Sequence, residues 1–318
     1  IWLEDGNVWE LPRPEEQKEV RFQGKVVVDW KDDRPMYRQE DCISVIAVPY
    51  DTPIIGYDSD RVNTLRLWSA KSPKYLDMSW FSRGDYIRAS AEKELAEVIS
   101  KVLYPEDNHY EGKALRLKQH YFFVSATMQC IIGNDKKNYG HLASLPERVA
   151  IQINDTHPAL AIPEMMRILL DEEGMEWETA WEITVRTFAY TNHTTLSEAL
   201  ERWPESLIKD LLPRIYMIIQ EINERYCQML WKHYPGQWKK ISDMAIIAYN
   251  EIRMAPLCIA GSHMVNGVAP LHTQILKNEV FHDYYKLEPY KFTNVTNGIT
   301  QRRWLLNSNP ELAKLISE

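Results

Sequence analysis

The sequence predicts an α/β fold, a twisted sheet flanked by long helices. Three observations carry that expectation. The first third alternates apolar and polar residues in strand-like stretches. From residue 85 onward, apolar residues recur at helical spacing. Among the helical patterns stands a five-residue run, 149–153, apolar except for Gln152 and too short for a helix.

Taken in order, residues 19–30 alternate around Gly24, the pattern of a hairpin. Residues 42–57 form a buried apolar run ending in a Pro/Gly turn, and 62–70 alternate again. Asp85 is placed to cap a helix. In it Leu95, Val98, Ile99, Val102 and Leu103 make an apolar stripe, and Pro105 ends it. A second helix is expected over 113–132. The run 149–153 reads as a parallel strand buried on both faces. Helices are expected over 158–173, 178–191, 207–233, 238–249 and 267–278. Residues 291–299 read as a short strand and turn, and a last helix starts near Asn309. There are no repeats and no low-complexity linkers.

A chain of 318 residues can bury a large core, in one large or two medium domains. Its net charge of −8 counts against a nucleic-acid partner, which calls for a basic surplus. No run approaches the ~20 apolar residues of a membrane span. The opening Ile1-Trp2-Leu3-Glu4-Asp5 lacks a basic region and a cleavage site, so no signal peptide is expected. Cys42, Cys130, Cys227 and Cys258 are scattered without a C-x-x-C, as suits reduced thiols in a cytoplasmic protein. The Asn-x-Thr triplets at Asn154, Asn192 and Asn294 then read as chance matches to a glycosylation signal. The 11 Trp and 17 Tyr could line a carbohydrate surface, but composition alone favours aromatic packing.

Asn154-Asp155-Thr156-His157 stands at the junction of the 149–153 run and the next helix. Ligands of open α/β sheets sit outside the carboxyl ends of the strands, where helix N-termini add positive potential. The alternative is capping by Asp155 or Thr156, with Pro158 in the first turn. Capping accounts for one residue of the four. A second cluster, Thr191-Asn192-His193-Thr194-Thr195, interrupts two helical patterns, with Thr195 or Ser197 as the candidate cap. A third, 294–297, ends on the turn pair Asn297-Gly298. Neutral and weakly charged clusters suit a hydroxyl-rich neutral ligand rather than a phosphate. G-x-G-x-x-G, G-x-x-x-x-G-K-[ST], H-E-x-x-H and G-x-S-x-G are absent. A metal held by His157, His193 and Asp155 is the less favoured alternative to hydrogen-bonded histidines, so no metal is expected.

The stretches "QINDTHPALAIPE", "AYTNHTTLSEALERWP", "CIAGSHMVNGVAPLH" and "TNGITQRRWL" resemble the α-glucan phosphorylases of glycogen, starch and maltodextrin. "YDTPIIGY", "VNTLRLWSAK" and "LYPEDNHYEGKALRLKQHYF" resemble the same family in the same order, so the likeness covers essentially the whole chain. The resemblance implies most of the N-terminal domain of a GT-B type glycosyltransferase fold. Residues 1–298 would be that domain without its first, glycine-rich segment, and 299–318 the start of the connection to a C-terminal domain. It implies phosphorolysis of terminal α-1,4-linked glucose to glucose 1-phosphate, with inorganic phosphate and with retention. The cofactor would be pyridoxal phosphate, its phosphate acting as acid/base partner of the substrate phosphate. Its Schiff-base lysine would lie in the C-terminal domain, so this chain alone is expected to be inactive.

Residue by residue, His193 corresponds to the histidine at the reaction centre. Its side chain would bond the glucose 6-hydroxyl, and its carbonyl would face the developing cation. Asn297 corresponds to the asparagine sharing that hydroxyl. Asp155 and His157 correspond to the pair beside the anomeric centre, Asp107 and Asn108 to the gate loop, and Arg116 to the arginine near the gate. The helix 85–103 corresponds to the one that packs across the family's homodimer axis. Some positions depart from the pattern. Cys130–134 reads Cys-Ile-Ile-Gly-Asn where animal enzymes carry the paired arginines that bind AMP, so AMP activation is not expected. Met217 and Gln220 alter the glycogen storage pattern on 212–226, and Gln301 stands where many members have proline. The competing expectation is a stand-alone, non-catalytic carbohydrate-binding or dimerising module.

Overall fold

A computed structural model describes residues 7–31, 34–74 and 76–318, which leaves the opening residues 1–5 read above outside the described residues. The fold is mixed α/β, as expected. The chain opens on strands β1 (Leu11–Pro12), β2 (Lys18–Phe22), β3 (Lys25–Lys31), β4 (Arg34–Glu40), β5 (Ile43–Ile55) and β6 (Val62–Lys71). β5 is the spine of an antiparallel sheet, with β1 and β2 along one edge and β6 along the other.

The expected hairpin around Gly24 is corrected. β2 pairs with β5, with Val20 opposite Val45, whereas β3 pairs with β4. Gln23 at φ 59 and Gly24 at φ 84 are both left-handed, and they turn the chain out of one sheet into another. A Cβ on Gly24 would lie 2.3 Å from the Glu40 carbonyl oxygen. Alternation reports which face is buried and says nothing of the partner strand.

The helix Tyr86–Lys101 begins as expected, with the Asp85 carboxylate accepting from the Arg88 N–H at 3.1 Å. It stops before Val102, whose φ of −133 is extended, so Val102 and Leu103 leave the stripe. Ile99 is buried while Leu95 stays 70% exposed. The next helix, Tyr110–Tyr139, overruns its expected span at both ends. The His109 imidazole caps it by accepting from the Gly112 N–H at 2.9 Å.

The second half adds β7 (Ile151–Asn154), β8 (Phe188–Thr191), β9 (Arg202–Pro204), β10 (Ile247–Ala248), β11 (Glu251–Arg253), β12 (Met264–Gly267) and β13 (Phe292–Asn294). β7, β8, β12 and β13 form a parallel sheet in the order β13-β12-β8-β7. β10, β11 and β9 form a small antiparallel one. β7 is parallel as expected, but among the described residues it is an outer strand rather than one buried on both faces: Ile153 is buried, Gln152 and Asn154 are exposed.

Four helical spans are also corrected. The helix expected over 178–191 ends at Thr187, and Phe188 and Tyr190 enter β8, fully buried between β7 and β12. Pairing on both sides outweighs local helical spacing there. The 207–233 span is two helices, Glu205–Leu211 and Pro213–His233, because the residue before Pro213 is driven out of the helical region. The 238–249 span stops at Met244 and gives way to β10. Gly267 closes β12, and its helix starts at Pro270. The short helices Met254–Ala260 and His282–Leu287 have no counterpart in the sequence reading. β13 and the final helix, capped by Asn309, fall where expected.

The core runs between the parallel sheet and its helices, with Leu117, Phe122, Ile153, Met165, Tyr190 and Val265 at its centre. The most deeply buried charged residue among those described is Glu164. Glu164 is 0% exposed and accepts from Tyr121 Oη at 2.8 Å, Ser125 Oγ at 2.7 Å, and Arg167 Nε and Nη2 at 2.8 and 2.9 Å.

Candidate functional site

The parallel sheet gathers the polar clusters at one edge. Asn154 ends β7, Thr191 ends β8, Asn266-Gly267 ends β12 and Asn294 ends β13. The register sets Asn154 beside Thr191, Thr191 beside Asn266, and Gly267 beside Asn294. A side-chain ladder crosses these ends. Gln152 Nε2 donates to Thr191 Oγ1 at 2.8 Å, and Thr191 Oγ1 donates to Asn266 Oδ1 at 2.8 Å.

His193 closes the ladder at the other corner. Its Nε2 lies 2.6 Å from Asn154 Oδ1. An amide oxygen can only accept, so Nε2 is the donor in this contact. His193 does not cap a helix. The local turn is held by Asn192, whose Oδ1 accepts from the Thr194 N–H, and by Thr194 Oγ1, which accepts from the Leu196 N–H. Asn192 is fully buried and also donates to Tyr190 Oη.

The first cluster does not cap either. The helix after it begins at Ala161, with no side-chain cap. Asp155 is left-handed at φ 60, a conformation its short side chain supports by accepting from the Thr156 N–H at 2.6 Å. Its own N–H donates to the Thr191 carbonyl. Thr156 is buried, and its Oγ1 donates to Glu201 Oε2 at 2.8 Å. Glu201 also accepts from Trp203 Nε1 at 3.1 Å and faces His120 Nδ1 across 3.3 Å. Burial pushes the Glu201 carboxyl up. His120, Thr156 and His157 together outweigh that and hold it below the usual carboxylate range. The His120 ring stands edge-on to Trp203 and 6.0 Å from the exposed His157 ring.

Asn297 is exposed just beyond β13, its N–H bonded to the Val268 carbonyl. Asn294 accepts from Thr273 Oγ1 at 2.7 Å and donates to Thr296 Oγ1 at 3.0 Å. Asp107, Asn108 and Arg116 form a separate cluster where the Tyr110–Tyr139 helix begins. Arg116 Nη1 meets Asp107 at 2.6 Å, and Asn108 donates to Glu106. Arg116 precedes His120 by one turn of that helix. Of the residues singled out in the sequence, the fold brings His193, Asp155 and His157 together and sets Asn297 near the same edge. Gln152, Asn266, Glu201 and His120, which were not among the expected site residues, stand with them. Asn266-Gly267 carried a strand-end signal; the other three carried none.

Among the described residues no three His, Cys, Asp or Glu side chains converge to hold a metal. The segment Cys130–134 meets one arginine, Arg66, whose Nη1 lies 3.3 Å from Cys130 Sγ. Asp51 and Glu16 already neutralise it. A groove of about 650 Å³ lined by Trp177, Trp181, Tyr226 and Tyr290 lies apart from these residues. No described helix is long and apolar enough to cross a membrane.

Amides, hydroxyls, imidazoles and the Asp155 carboxylate gathered at the carboxyl ends of a parallel sheet place the candidate site where α/β proteins hold polar ligands. The chain belongs to the carbohydrate phosphorylase family, whose profile matches residues 1–318. It has the build of a partial GT-B type domain. It is 52% identical over 317 residues to the glycogen phosphorylase of Bacillus subtilis, covering 100% of this chain and 39% of that protein. Against the muscle forms of Bos taurus and Homo sapiens the identities are 52% and 51% over 333 residues, covering 38% of each. The chain thus spans well under half the length of these relatives.

The family is generally pyridoxal-phosphate dependent, and the described residues do not fit a Schiff-base site at the rim. Lys291, the buried lysine among them, precedes β13 at the opposite end of the sheet. Its Nζ is held by the Ile259 carbonyl and Glu288.

Proposed function

We propose that this chain supplies the glucan side of the active site in an α-1,4-glucan phosphorylase. The reaction is release of glucose 1-phosphate from the non-reducing end of a glycogen, starch or maltodextrin chain by inorganic phosphate. The observation that carries the reading is the His193–Asn154 contact, which fixes an imidazole at the rim. His193 takes the glucose 6-hydroxyl together with Asn297, and the His193 carbonyl faces the charge that develops at the anomeric carbon. Asp155 and His157 line the pocket beside that carbon. Asp107, tethered by Arg116, and Asn108 act as the gate. Pyridoxal phosphate and the phosphate-binding residues belong to the protein outside these residues, with residues 1–298 forming the glucan-side domain and 299–318 leading out of it.

The test is phosphorolysis of maltoheptaose by the full-length protein. Phosphate-dependent glucose 1-phosphate is the expected product, and glucose or maltose without phosphate dependence would sink the reading.

The same reading makes the protein a cytoplasmic homodimer through the Tyr86–Lys101 helix, on which Ile87 and Leu95 stand exposed. A Leu95→Glu/Val98→Glu variant of the full-length protein should sediment as a monomer with depressed activity. A dimer unchanged in analytical ultracentrifugation removes this helix from the interface.

A further inference from the structure

We propose that Glu201 is a positioning residue for the candidate site, pinning the Asp155–His157 turn from below through Thr156. The inference rests on the glucan-phosphorylase reading of that site and adds a residue to it. Glu201 is 13% exposed and lies outside the strand-end clusters. Both its oxygens are engaged: Oε2 by Thr156 Oγ1, Oε1 by Trp203 Nε1 and the His120 ring. Thr156 follows Asp155, whose left-handed backbone is held by a side-chain bond to the Thr156 N–H. The turn therefore has two anchors on one residue, the Thr156 N–H toward Asp155 and its hydroxyl toward Glu201. His157, the next residue, is exposed above them, and its ring stands near that of His120, which contacts the same carboxylate.

A turn held this way sets the direction of the Asp155 and His157 side chains without touching a ligand. Loosening it misplaces groups at the sugar, so the loss falls on the glucan. Phosphate, bound outside this chain in the same reading, is spared.

The experiment uses the full-length protein with maltoheptaose and inorganic phosphate. Thr156→Val keeps the side-chain shape and removes the hydroxyl. It should lower kcat/KM for maltoheptaose by about 10-fold while KM for phosphate stays within about twofold. Thr156→Ser, which restores the hydroxyl, should return kcat/KM to within about twofold of wild type. Glu201→Met, which has no oxygen to accept the Thr156 hydroxyl, should give the same split and keeps the test standing if Thr156→Val does not fold. The proposal is overturned by a soluble Thr156→Val or Glu201→Met with wild-type kcat/KM, by a loss that serine does not rescue, or by equal changes for both substrates. If wild type releases no glucose 1-phosphate, the reading of the site and this inference fall together. If wild type is active and the variants match it, the anchorage alone falls.

Discussion

Replacing His193 with alanine in the full-length protein lowers kcat for phosphorolysis by about 10²-fold or more, with little change in melting temperature. The imidazole is exposed and bonds the exposed Asn154, so its removal costs no more than about 1 kcal/mol of stability. In the proposed role the lost bond strengthens as the glycosidic bond breaks, and the loss therefore appears in kcat. Thr194→Ala is the control. Thr194 Oγ1 holds a local turn by accepting from the Leu196 N–H, and it makes no contact across the rim in this structure. The measurement is kcat and melting temperature for both variants with maltoheptaose and saturating phosphate. Equal activity losses that track lost stability would remove His193 from the reaction.

The largest effect on stability is expected at Glu164. Alanine there leaves the half-buried Arg167 guanidinium with Glu172 as its remaining carboxylate partner and leaves Tyr121 and Ser125 without their shared acceptor. Breaking a buried pair from one side costs about 3–5 kcal/mol. A paired Glu164→Met/Arg167→Leu variant, which removes both charges, should recover much of that loss, because the uncompensated ion is then gone. Denaturant unfolding followed by tryptophan fluorescence measures both variants. A Glu164→Ala loss below about 1 kcal/mol, or a double variant no more stable than the single, would show that the carboxylate is not the centre of this cluster.

The α/β class was legible because period and length survive in the sequence: the long amphipathic helices, the Asp85 cap and the short run at 149–153 all fell close to their expected places. Partner strands and boundaries were less so. The alternation at 19–30 was real, but two left-handed residues divided it between sheets. Phe188–Thr191 continued a helical spacing and was claimed by neighbours far away in sequence. At the site, Asn154, His193 and Asn297 announced themselves as polar residues breaking apolar patterns. Glu201 and His120 could not, since each lies in an ordinary polar context, and their meeting across 81 residues is made by the fold alone. Capping was the wrong account of both clusters for a related reason. A cap is a local bond, and Thr156 and His193 instead bond across the fold.

The outer position of β7 gives the rim an uneven stiffness. β8 and β12 have a strand on each side, while β7 has β8 alone among the described residues. Opening motions that release backbone amides to solvent favour such a margin over the interior of a sheet. Asn154, the residue that receives His193, thus stands on the more readily released strand, and Asp155 follows it directly.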